Sequence, residues 1–105
     1  MPRASELRAL QHLHGQLAEA LEQGDWTRIG EIDALIRSCL QLLAGLPTLS
    51  DEVREAKRRL QQLHGQARIA CAQECERVRQ LLLRHLEYAE GRSAYLRVDQ
   101  FQGGR

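Results

Sequence analysis

Apolar residues recur along this chain at steps of three and four, and that spacing predicts helices almost throughout. Leu7, Leu10, Leu13, His14, Leu17 and Leu21 form one stripe over about Ala4 to Glu22. Gly24 follows, a residue that can end a helix in the left-handed conformation. Asp25 comes next, and its carboxylate can accept from the exposed N–H groups of a new helix. "QGDW" therefore reads as a stop followed at once by a start, which folds the two helices back as an αα-hairpin. Trp26 falls in the first turn of the second helix. There it is expected to cover the closed end of the hairpin and bury a large apolar area.

The second helix carries more apolar residues than one stripe needs. Ile29, Ile32, Ile36, Cys39 and Leu43 line one face, and Leu35, Leu42 and Leu46 lie off it. Pro47 disfavours helix at Leu46. Ser50 is a good N-cap, with Asp51 and Glu52 suited to a first turn. From there Val53, Ala56, Leu60, Leu63, Ala67, Ala70, Glu74, Val78, Leu81, His85 and Tyr88 keep one phase. The phase runs straight through Gly65, which costs about 1 kcal/mol relative to Ala but forces no turn. One helix from Ser50 to Ala89 is predicted, about 60 Å long at about 1.5 Å per residue; the rival is a break near Gly65, which gives four short helices in a closed bundle. Gly91 is the expected stop. The tail "EGRSAYLRVDQFQGGR" then forms a short fourth helix or an extended strap.

The predicted fold is all-α: an antiparallel bundle of three helices, the third long, with a bundle domain over 1–90 and a tail over 91–105. Two short helices cover only the first half of the third. The apolar residues of its second half need a second copy of the chain, the folded-back tail or a client protein. Leu35, Leu42 and Leu46 on the second helix, and Val78, Leu81 and Leu82 on the third, are the candidate partner-binding residues.

Composition agrees with a helical chain of one domain. Of 105 residues, only four are aromatic and two are proline, a profile of helices. Fifteen basic residues against 14 acidic ones give a formal net charge of +1, which argues against a generic polyanion binder. Three cysteines, an odd number, point to a reducing compartment. "MPRASEL" has no apolar run behind it, so no secretion signal is expected. No run is long enough to cross a membrane.

Cys71 and Cys75 lie four apart with His64 and His85 along the same helix, but no second ligand pair stands at finger spacing. The expected role of these cysteines is that of small buried apolar groups, with no metal and no cofactor. "LQHLHGQ" and "LQQLHGQ" form a short repeat around His14 and His64, read as two helices that tolerate Gly. In "REAKRRL", Glu55 can pair with Arg59 one turn on, on a solvated face. No phosphate loop or nucleophile elbow appears, so no enzyme is predicted.

The short first helix, the segment "ALEQGDWTRIGEIDALIRSCLQLL" and the long third helix with an aromatic tail resemble the FliT-type flagellar export chaperones, over roughly residues 4–98. The resemblance rests on the acidic-aromatic joint Asp25–Trp26 and on Arg37 near the middle of the second helix. It implies a cytoplasmic chaperone that binds the C-terminal segment of the filament-cap protein, prevents premature assembly and delivers it to the type III export gate. It further implies contact with the export ATPase complex or the flagellar transcription regulator in some members. A tyrosine after the long helix docks at the gate, which points to Tyr95, then Tyr88. The alternatives from the residues are a structural coiled-coil dimer and a regulator that binds a transcription factor or nucleic acid through Arg54 to Arg59.

Overall fold

A computed structural model describes the backbone of residues 2–103 and the side chains of residues 4–92. The chain is all-α, with helices α1 (Pro2–Gln23), α2 (Trp26–Ala44) and α3 (Asp51–Gly103). It divides into two units, Met1–Cys71 and Ala72–Arg105.

The first unit is a three-helix bundle made by α1, α2 and the first part of α3. Gly24 stands at φ 64°, the left-handed state that lacks a steric cost only for glycine. With Gly24 there, the Asp25 N–H donates to the Ala20 carbonyl at 3.0 Å and the Gly24 N–H to the Leu21 carbonyl at 3.2 Å. This pair of bonds closes α1 as a Schellman motif. The Asp25 carboxylate then accepts from the Arg28 N–H at 3.2 Å and caps α2. Across the joint, Arg28 pairs with Glu19 at 3.7 Å. At the start of α3, the Ser50 hydroxyl accepts from the Val53 N–H at 3.3 Å.

The core is the union of the expected stripes. Leu10, Leu13, Leu17 and Ala20 of α1 meet Ile29, Ile32, Ile36 and Leu43 of α2 and Val53, Leu60 and Ala67 of α3. Leu7, Leu21, Cys39, Leu40, Leu49, Ala56, Leu63 and Cys71 pack around them half-buried. These positions follow the i, i+3, i+4, i+7 rule that lets one helix face a core. The second unit is helical in continuation of α3. Beyond Cys71 its described side chains are exposed, except for half-buried Glu74.

Three local expectations are corrected. Trp26 is not buried: it is 37% exposed, because its position turns it to the flank of α2 and not onto the Ile29–Ile36 face. Leu46 lies outside α2, which ends at Ala44. There the Gly45 N–H donates to the Leu42 carbonyl at 3.2 Å and the Leu46 N–H to that of Leu43 at 3.1 Å, tightening the end into i→i+3 bonds. The helix does not stop at Gly91 but runs on to Gly103. Among the described residues only Gly24 takes a positive φ. A left-handed glycine follows where the next segment must fold back to bury a face, and no described packing asks that of Gly91.

Leu17, Ile36 and Leu60 are fully buried, so each substitution to Ala is expected to cost about 2–5 kcal/mol in a denaturant titration. Trp26→Ala should cost well below the about 3–5 kcal/mol of a fully buried aromatic. Equal losses for Trp26→Ala and Ile36→Ala would contradict this core.

Candidate partner-binding surfaces

The apolar positions left over by the core are exposed. On the first unit, Leu35 and Leu42 stand two turns apart on α2, 55% and 76% exposed, and Leu46 follows in the connection. Leu35 and Leu42 lie on the side of α2 away from Asp33. On the second unit, Val78, Leu81 and Leu82 are exposed together with Leu83, Leu86 and Tyr88. Val78, Leu81, Leu82, His85 and Leu86 recur at three- and four-residue steps and share one side of the helix. Leu83 lies off that side. Leu83 and Leu86 were missed by the sequence reading, which followed a single stripe. Tyr95 falls in α3, but its side chain lies outside the described residues.

Local ion pairs run along the second unit. Arg77 holds Glu74 in two bonds of 2.5 and 2.9 Å. Arg79 holds Glu76 in two of 3.0 Å. The Arg79 guanidinium, with the Gln80 amide, brings the Glu76 carboxyl down to about 2. In the first unit Glu55 makes its main pair with Arg58, at 2.6 and 3.0 Å. Its contact with Arg59, the expected partner, is longer at 3.4 Å. Such exposed pairs fix side-chain direction more than they add stability.

One polar cluster has no counterpart in the sequence reading. Asp33 of α2 accepts from His64 of α3, and Arg37 reaches the same carboxylate at 2.9 Å. The His64 bond, and then the Arg37 charge, hold the Asp33 carboxyl below its ordinary range against the opposing effect of burial. Asp33 and Arg37 were legible as an i, i+4 pair. Nothing in one strand of sequence announces that His64 crosses to them.

Two recesses flank this bundle. Between α1 and α3 a groove of about 570 Å³ has Leu7, Leu10 and Ala56 at its floor and Asp51, Glu52 and Glu55 at its rim. His14 lines this groove, while His64 lines the other recess, so the two histidines of the repeat share no site. The second recess, between α2 and α3, holds about 320 Å³. Cys39 is half-buried, and burial, aided by Glu6, pushes its thiol up. Cys75 is exposed, which corrects its reading as a buried group. Among the described residues no three His, Cys, Asp or Glu side chains gather to hold a metal ion. Among them also, no helix is long and apolar enough to cross a membrane.

No family model, no curated protein and no solved structure matches the chain.

The Asp33–His64 bond generates a pH-dependent prediction. Its stabilisation is fully present above the ordinary Asp value of 3.8 and is lost as pH falls through the lowered folded value. Asp33→Asn should therefore unfold more easily than the parent at neutral pH, with the difference closing in acid. His64→Ala should cost about 1–2 kcal/mol, as for a part-buried bond to a charged group. Denaturant midpoints measured at stepped pH check both; a gap that persists unchanged into strong acid would contradict the assignment.

Proposed function

We propose that this protein is a flagellar type III export chaperone of the FliT type, which holds the C-terminal segment of the filament-cap protein and hands it to the export gate. The observation that carries the proposal is the exposed apolar side of the second unit, Val78, Leu81, Leu82 and Leu86, alongside exposed Leu35 and Leu42 on the first. A client that is amphipathic and helical is matched by such a surface, since each side buries what would otherwise face water. The gain is roughly 25 cal/mol per Å² before the entropic costs of association. The Asp25–Trp26 joint and Arg37 support the resemblance on which the client's identity rests. Tyr95, and after it Tyr88, are assigned to the gate. The export ATPase complex and the flagellar transcription regulator are further partners on the same resemblance.

The competing reading is self-pairing of α3. Cys71, Cys75, Val78, Leu82, His85 and Ala89 alternate four- and three-residue steps, the spacing of a coiled-coil seam.

Light scattering of the chain, alone and with a peptide from the cap protein's C-terminal segment, decides between them. The expected result is a one-to-one complex with the peptide. Leu42→Asp or Leu81→Asp should abolish it with the helical circular dichroism unchanged. Tyr95→Ala should bind the peptide normally and reduce export of the cap protein. A dimer that ignores the peptide and falls apart on Leu82→Asp would establish the coiled coil instead.

A further inference from the structure

The recess between α2 and α3 is lined by Leu17, Ile29, Ala67 and Cys71, with Gly30 opening one wall. Its volume, about 320 Å³, is at the lower end of ligand sites and fits a side chain or two. A Cβ built on Gly30 would meet nothing within 4 Å, so no neighbour within the chain requires glycine at that point. What the missing side chain leaves is open space. One turn earlier on the same flank of α2 stands Trp26, part of whose ring faces solvent. The flank therefore offers an apolar hollow with an exposed aromatic beside it.

The charges around the hollow are unbalanced. Its one carboxylate, Asp33, is engaged by both His64 and Arg37. Arg68 also lines the hollow, and among the described residues no carboxylate pairs with it. Lys57 stands on the same side of α3, at three- and four-residue steps through Gln61 and His64 to Arg68. The groove on the other side of α3 is lined by three carboxylates, Asp51, Glu52 and Glu55, against one guanidinium, Arg59. Carboxylates outnumber cations there, and the reverse holds along the hollow.

We propose that the Gly30 recess is a docking site for an acidic peptide segment. The segment inserts one bulky apolar side chain over Gly30, packs against Trp26, and sets a carboxylate on Arg68. The charge on the rim selects the sign of the partner, and the buried anchor supplies the affinity. The recess is separate from Leu42 and Leu81, so it stands or falls independently of the export reading.

The test is a selection of displayed random short peptides on the full chain, with Gly30→Leu as counter-target. Enriched peptides are then titrated against the emission of Trp26, the single tryptophan of the chain. The expected consensus is one bulky apolar residue flanked by Asp or Glu, whose binding shifts Trp26 emission. Gly30→Leu, which fills the hollow, should weaken binding at least about tenfold, as for loss of one anchor, while melting no lower than the parent. Arg68→Glu, on an exposed position, should abolish the preference for acidic peptides. Leu42→Asp and Leu81→Asp should bind the same peptides as the parent does. No enriched sequence, a basic consensus, or peptides held equally well by Gly30→Leu and Arg68→Glu would each overturn the site.

Discussion

Everything in the first unit depends on one apolar seam, in which Leu17 of α1, Ile36 of α2 and Leu60 of α3 are each fully withdrawn from water. None of the three helices buries a face alone, and short isolated helices are marginal in water. The seam exists because the Gly24–Asp25 joint reverses the chain with no spare residue. That reversal puts the Ile29–Ile36 face of α2 against the Leu10–Ala20 face of α1. The Schellman bonds at Gly24 and the cap at Asp25 therefore serve the core as much as the helix ends.

The seam also determines what is left over. Its last α3 members are Ala67 and half-buried Cys71. Past them the same three-and-four spacing continues, but the described side chains are exposed. An apolar stripe that persists in sequence after its intrachain cover ends is the physical basis for assigning a partner to it. The off-stripe leucines of α2 arise in another way. Leu35 and Leu42 are surplus to a helix already committed to the core on its other side.

The polar groups of the first unit add direction to this apolar scaffold. Asp33 is placed between His64 and Arg37, which ties α2 to α3 at a level where the packing is thin, beside the recess walled by Gly30 and Ala67. Arg68 lines the same recess with no carboxylate paired to it among the described residues. Asp51, Glu52 and Glu55 outnumber Arg59 on the α1–α3 groove.

The sequence by itself determined the three helices, their apolar faces, the Gly24–Asp25 joint and the continuity through Gly65. These follow from periodicity and capping, which are local properties of neighbouring residues. It did not determine the fate of Trp26. Whether a first-turn aromatic faces the core or a flank depends on how the partner helices are rotated about their axes. Nor did it fix the end of α3, since Gly91 is a stop only where the next segment has a face to bury by turning back. The His64–Asp33 contact and the Gly30 recess are the clearest products of tertiary structure. Both join residues far apart in the chain, and only the packing of α2 against α3 brings them within reach.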